Sequence, residues 1–382
     1  MRKKHEDWRL KSCLNLLPSE NMSSPAVREM LSSDLANRYT SPDGFYMGTR
    51  YIDQIQTETE ELAKAVFGAK YADVRPISGH SADMIALTAL ADRGDKIMLV
   101  GKGNGGYPGI SQDGYPKIFG LQVLEFPFQK RIFNIDAERA AAAIKQERPR
   151  VVLFGASLIL FPHPVRRLAG VCKEVEGKVV FDGSHVLGLI AGKQFQDPLR
   201  EGAEVLIGST HKSFFGPQGG IVLANAYEES LRSAVHPAIV DNAHWNRIAA
   251  LNVALREMKK FGKRYAQQVV RNSKTLATAL DEMGVKLIGK EAGFTESHQV
   301  IVDVPTEAEG FRLARKLQEA NIIVDIGIRI GTSEETRRGM REREMERIAG
   351  LIARVWVENE DPARVRKDVR RLRGEFLSLQ FV

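Results

Sequence analysis

Between residues 70 and 225, short apolar runs alternate with stretches of helical spacing. The strand candidates are "YADVRPI", "KIMLVG", "QVLEFPF", "RVVLFGAS", "GKVVFDGS", "EVLIGST" and "GIVLAN"; "SADMIALTALA", "DAERAAAAIKQE" and "VRRLAGVCKEV" lie between several of them. A strand that is apolar at nearly every position must be buried on both faces. That happens where helices cover both sides of a mainly parallel sheet. The expected fold class is therefore α/β, with a mainly parallel seven-stranded sheet. Upstream, Ser24-Pro25 opens one helix, and 53–68 reads as an amphipathic helix closed by Gly68. Residues 241–283 read as long helix, and the strands and helices after it suit a smaller α/β domain. The expected division is 1–50 as an N-terminal arm and helix, 51–240 as the large domain, and 241–382 as a linking helix with the small C-terminal domain.

Ligands of such sheets bind outside the carboxyl ends of the strands. Three of those ends carry polar clusters: "GAS" at 155–157, "FDGSH" at 181–185 and "GSTHK" at 208–212. Asp182 and Lys212 each close a strand, and their separation fits one strand–helix–strand unit, so the two ends can be neighbours. An amine and a carboxylate at one sheet mouth suit an aldehyde cofactor: the lysine forms a Schiff base and the carboxylate keeps a pyridine nitrogen protonated. Pyridoxal 5'-phosphate needs both. Its phosphate needs backbone amides at a helix start, and "PISGHSADM" offers Ser78, Gly79 and His80 there. Phe214 and Phe215, just beyond Lys212, are expected to desolvate its amine. Taken singly, each feature has an ordinary reading as a surface lysine, a helix-capping aspartate or a plain cap; the inference rests on their combination.

Bulk properties narrow the partners. The net charge is +7, but the basic residues are spread along the chain. The densest stretches, "ETRRGMREREMER" and "ARVRKDVRRLRGEF", interleave acids at helical spacing and read as solvated helix faces rather than a nucleic-acid patch. The two cysteines, Cys13 and Cys172, imply no disulfide framework or zinc site, and no other metal site is read from the chain. No apolar run approaches the ~20 residues of a membrane span, and no signal peptide is evident, so a cytoplasmic location is expected.

The quoted motifs, with "LLPSENMSSPAV", "FGAKYADVRPISGHSADM", "NGGY", "FDGSHVLGLIAG", "STHKSFFGPQGG" and "GIRIGTSEETRRGM", occur in an order that resembles serine hydroxymethyltransferase from about residue 13 onward. The resemblance implies a fold-type I pyridoxal-phosphate enzyme acting on an α-amino acid, most simply by retro-aldol cleavage or transfer at the Cα–Cβ bond of serine or threonine. It implies that Lys212 bonds the cofactor with His211 beside it, and that Asp182 pairs with the ring nitrogen. Ser157 and His185 then lie near the ring hydroxyl, and Ser78, Gly79, His80 and Ser209 at the phosphate. Tyr107 stands where the family stacks a histidine on the ring. Arg329 is implied as the clamp of the substrate carboxylate, with Ser19 nearby. Tyr39 and Tyr46 match active-site tyrosines, Tyr46 reaching in from the partner of a homodimer.

Four departures bear on the reaction. Ser41 falls where the family has a proton-handling glutamate, with Asp43 two residues on. The insertion before the clamp arginine, which helps hold the folate, is missing from "NIIVDIGIRIGT". Asp241 and Asn242, followed by His244, replace the glycine pair that reaches the partner's phosphate, and Gln218 replaces an arginine in the glycine-rich turn. The changes fall on the pterin side, which favours retained amino-acid chemistry with a lost or changed one-carbon acceptor. His211, His80, Tyr46 and Asp43 are the candidate bases. The alternatives are hydroxymethyl transfer to a modified pterin, transamination or racemisation on the same cofactor, and a non-catalytic regulator that binds the cofactor or nucleic acid.

Overall fold

The computed structural model describes residues 1–41 and 44–381. All seven strand candidates form one sheet: β1 (Tyr71–Asp73), β2 (Lys96–Leu99), β3 (Gln122–Glu125), β4 (Val151–Phe154), β5 (Lys178–Asp182), β6 (Val205–Ser209) and β7 (Gly220–Ala224). Their spatial order is β1-β7-β6-β5-β4-β2-β3. The run from β6 to β3 is parallel, and β7 is antiparallel to both β6 and β1. The Thr210–Gly219 connection from β6 to β7 contains no helix and cannot make the crossover a parallel neighbour requires. Strands β4, β6 and β7 are buried at every position, as expected of strands covered on both faces.

Local signals set the helices. Ser24 caps Pro25–Leu31 by accepting from the Val27 amide. The amphipathic helix spans Arg50–Phe67 and is closed by Gly68 in the left-handed conformation, φ 72°. Helix α1 (Gly79–Leu90) follows β1 and opens on a capping box in which Ser78 and Ser81 satisfy each other's backbone amides. The long helix α2 runs Trp245–Glu282. No described helix is long and apolar enough to cross a membrane.

The chain divides into two compact units. One comprises 23–130 and 134–263 and holds the sheet; the other comprises 1–22, 131–133 and 264–382. This differs from the division read in the sequence: the first 22 residues pack with the C-terminal unit, and α2 contributes to both units. The C-terminal unit has its own core, including Leu14, Leu16, Leu276, Leu280, Leu317, Ile322, Ile330 and Ile348. Each such side chain, fully buried, contributes about 1.5–3 kcal/mol.

The same unit corrects part of the reading of the two basic stretches as solvated helix faces: Arg341, Arg343, Arg364, Lys367, Arg370 and Arg371 are exposed as expected, but several of the charged residues are not. Glu334, Glu335, Arg337, Arg338 and Arg373 are buried. Arg373 Nη1 donates to Glu335 Oε2 at 3.1 Å, with both side chains 0% exposed. Its Nε and Nη2 donate to the Leu10 carbonyl, and Glu335 Oε1 accepts the Asn15 amide at 2.6 Å. Glu334 Oε1 accepts from Arg338 and from the Asn15 side chain. These bonds fasten 10–15 to the helix Pro362–Gly374, which is why the N-terminal segment is no separate arm. Burial pushes the Glu335 carboxyl up and the Arg373 charge opposes that shift.

Candidate active site

At the carboxyl end of the sheet, the sequence ties neighbouring strand ends together. Asp182 ends β5, and its Oδ1 accepts the Ser184 amide at 2.8 Å. Ser184 Oγ in turn accepts the Ser209 amide of β6 at 3.0 Å. Against them lies the start of α1, so close that a Cβ on Gly79 would collide with the hydroxyls of Ser209 and Ser184. Only glycine permits this approach, which brings the amide-bearing end of a helix onto the sheet mouth.

These elements enclose a cavity of about 200 Å³. Ser78, Gly79, His80, Tyr107, Ser157, Asp182, His185, Ser209, His211 and Lys212 all line it, so every residue expected to touch the cofactor is gathered in one place. Asp83 and Ser184 line it as well, and neither stood out in the sequence. Ser184 sits inside "FDGSH", and Asp83 follows Gly79 by one helical turn on the same face, so helical periodicity held the signal. Phe214 and Phe215 do not line the cavity. They are buried and stacked on one another at 6.1 Å, with Phe214 also against Phe67, so they anchor the loop after Lys212 rather than wall its amine.

Burial dominates the electrostatics. The His211 ring is pulled down to about 4 by desolvation and then by the charge of Lys212, so it is neutral at pH 7. Desolvation raises the Tyr107 hydroxyl, and Asp83 and Asp182 add to the rise. Desolvation also holds Asp83 well above the usual carboxylate range, with Asp182 adding to it and Lys212 opposing. His80 Nδ1, Asp83 Oδ1 and His211 Nδ1 are buried with no hydrogen-bond partner. Buried polar atoms are nearly always satisfied. Three exceptions around one cavity fit a polar ligand that supplies the missing partners.

The other expected site residues lie elsewhere. Tyr39 and Tyr46 do not line the cavity; their rings meet at 4.9 Å, and the Tyr39 hydroxyl donates to Asp241 Oδ2 at 2.6 Å. With Phe45, 75% exposed, they form an exposed aromatic cluster. Asn242 accepts from the Trp245 indole at 3.2 Å and so supports the start of α2. Asp43 lies outside the described residues. Ser19 and Arg329 belong to the C-terminal unit. There the backbone amide and Nε of Arg329 donate to the two oxygens of Asp325, at 3.0 and 2.7 Å, which orients the guanidinium.

A larger cavity, of about 630 Å³, lies at the amino ends of the same strands, where Arg150, Lys178, Glu204 and Tyr227 line it. Its half-buried polar groups are partnered, Tyr227 donating to Glu204 at 3.0 Å and Lys178 to the Leu90 carbonyl at 2.8 Å, and none of its lining residues has a buried polar atom without a partner. Unsatisfied buried groups, and not volume, distinguish the smaller cavity.

Comparison with known proteins agrees with this geometry. Residues 2–352 match the family model described as serine hydroxymethyltransferase. The chain is 44% identical over 387 residues to the serine hydroxymethyltransferase of Methanocella arvoryzae, covering 96% of this chain and 92% of that protein. To that of Methanopyrus kandleri it is 45% identical over 397 residues, covering 99% and 92%. Among solved structures it is similar to L-threonine transaldolase from Pseudomonas fluorescens in the internal aldimine state, with TM-score 0.93, 27% identity, and coverage of 100% of this chain and 91% of that one.

Proposed function

The chain belongs to the serine hydroxymethyltransferase family, and we propose that it breaks and remakes the Cα–Cβ bond of a β-hydroxy amino acid such as serine or threonine, without a folate. It is a pyridoxal-phosphate enzyme. When bound, that cofactor supplies an aldehyde that captures amines and a protonated ring that accepts the electron pair freed at Cα. The observation that carries the reading is the single cavity lined by Lys212, Asp182 and the start of α1, with unsatisfied buried polar atoms beside it.

The residue roles follow from the chemistry of each group. Lys212 would hold the aldehyde of the cofactor through its amine. Asp182 accepts the ring N–H and keeps that nitrogen protonated. The amides at Ser78, Gly79 and His80, with Ser209, receive the phosphate at the helix N-terminus. Tyr107 stacks on the ring, and Ser157 and His185 bond its hydroxyl. Arg329, oriented by Asp325, grips the substrate carboxylate with its paired donors, and Ser19 assists. A base must take the proton of the substrate β-hydroxyl; the neutral ring of His211, the His80 ring and the Tyr46 hydroxyl are the described candidates.

Independence of folate is supported by two features. By the resemblance, Ser41 falls where the family has its glutamate. Only residues 324–328 separate the strand Ile322–Ile323 from Arg329–Gly331, which leaves no insertion to hold a pterin. The likeness to a threonine transaldolase supports an aldehyde as acceptor. One observation favours a second reading, hydroxymethyl transfer to a modified pterin: the named relatives are serine hydroxymethyltransferases, matched over 92% of their length. We further infer a homodimer, with the exposed Tyr46 cluster and 241–244 near the partner's site, working in the cytoplasm, where the free Cys13 and Cys172 remain reduced.

The test is NMR of the products after incubating the cofactor-loaded protein with L-threonine and L-serine, with no pterin. Glycine and the matching aldehyde are expected. Glycine only on addition of a pterin would select the second reading, and none under either condition would overturn both. Lys212→Ala is expected to cut turnover by at least about 10³-fold. Sedimentation of a cofactor-saturated monomer would exclude the dimer.

A further inference from the structure

Asp83 is the one acid of the cavity that the proposed reaction leaves unused. It lies on α1 four residues beyond Gly79, on the same face of the helix. At Gly79 that face is pressed onto the Ser184 and Ser209 hydroxyls with no room for a side chain. The Asp83 carboxyl is therefore carried in beside the cavity, 1% exposed, and its Oδ1 has no hydrogen-bond partner. The charges that reach it are those of Asp182 on β5 and Lys212 after β6, and Tyr107 in turn responds to Asp83 before Asp182. Strand β7, which packs on the same helix, contributes no charged residue.

A buried carboxylate needs a counter-charge or several hydrogen-bond donors. Asp83 Oδ1 has no hydrogen-bond donor, and the one cation that reaches the carboxyl, Lys212, is opposed there by Asp182. The neutral acid is the form such surroundings favour. A neutral carboxyl carries an O–H that itself seeks an acceptor. We propose that Asp83 is a second carboxyl group of the cofactor site, a positioning residue that acts as a neutral hydrogen-bond donor toward the Asp182 end of the cavity and so moderates how strongly Asp182 holds the proton of the ring nitrogen. This rests on the cofactor assignment above and adds to it a group of opposite character, since Asp182 accepts while Asp83 donates.

The two protonation states predict opposite results for Asp83→Asn, because an amide keeps a donor and discards any charge. On the cofactor-loaded protein, three readouts are taken: cofactor affinity by fluorescence titration, the pH midpoint of the visible band of the lysine-bound cofactor, and infrared difference spectra. Asp83→Asn is expected to keep both affinity and midpoint within about twofold, while Asp83→Leu weakens affinity by about tenfold, the value of one lost hydrogen bond, and shifts the midpoint. The wild type should show a carboxylic-acid C=O stretch at pH 7 that Asp83→Asn lacks. An Asp83→Asn protein as impaired as Asp182→Asn, or as impaired as Asp83→Leu, would overturn the proposal, as would the absence of that stretch. If the leucine variant does not fold, the infrared comparison decides by itself. Failure of the wild type to take up pyridoxal phosphate would instead overturn the cofactor assignment.

Discussion

Two buried polar clusters in this chain meet the problem of burial in opposite ways. In the C-terminal unit, Glu335 has an acceptor bond on each oxygen and Arg373 donates through Nε, Nη1 and Nη2. At the sheet mouth, His80, Asp83 and His211 each keep a buried polar atom with no partner. Both clusters are rich in charge and shielded from water, so burial alone does not separate structure from function. Between these two clusters the difference is satisfaction: the Glu335–Arg373 network spends its hydrogen bonds on the fold, while three partnerless atoms beside one cavity leave bonds for a ligand; single unpartnered atoms elsewhere, such as Ser333 Oγ and Arg247 Nε, line no such cavity.

The sharpest way to break this contrast is to open the closed network. Glu335→Ala leaves Arg373 buried without its counter-charge and is expected to destabilise the protein by about 3–5 kcal/mol, read from urea denaturation. Pairing Glu335→Leu with Arg373→Met should recover most of that loss, since no charge is then stranded. A cost below about 1 kcal/mol for Glu335→Ala would mean that the pair is not structural.

Acid exposes the next effect. His163 is buried and held neutral, with its ring lowered to about 3 by desolvation, while His211 is lowered to about 4. Both fall below the ordinary value of 6.5, so on acidification the unfolded chain takes up the protons first. Stability should therefore be full above pH 6.5 and decline as the pH falls toward 4 and then 3. Each histidine contributes a slope of up to about 1.4 kcal/mol per pH unit in that window. His163→Gln should flatten the curve by one such share; an unchanged slope would contradict a neutral buried ring.

The smallest effect sharpens the comparison from the other side. In the cofactor-free protein, Asp83→Leu removes an unsatisfied buried polar group and should leave stability unchanged or raise it by about 1 kcal/mol, as seen in thermal denaturation. The extra stability that the cofactor confers should shrink in the same variant. A loss of several kcal/mol without cofactor would place Asp83 with the closed network.

The local part of this molecule was legible beforehand. All seven strands, the Ser24 and Ser78 caps and the Gly68 stop follow from neighbouring residues, because apolar continuity and capping act over a few positions. Nine of the ten cavity residues were legible because a parallel sheet brings its carboxyl ends together whatever the loops do, while Tyr107 stood out only through the family resemblance. Asp83 was missed because a lone acid in the mostly apolar run "SADMIALTALA" has no evident role until the Gly79 face is seen to press on the sheet.

What the sequence determined, then, is the sheet, its helix starts and the chemistry at its mouth. Only the tertiary structure decided which charges are buried. "ETRRGMREREMER" has the pattern of a solvated helix face, yet Arg337 and Arg338 are buried, and Glu335 meets Arg373 thirty-eight positions away. It also decided that the segment before residue 23 joins the C-terminal unit and that Asp83 and Asp182 share one cavity. The reason is common to all three. Secondary structure follows from short-range sterics and hydrogen bonding, whereas the state of a charge depends on desolvation and on neighbours brought from remote positions in the chain.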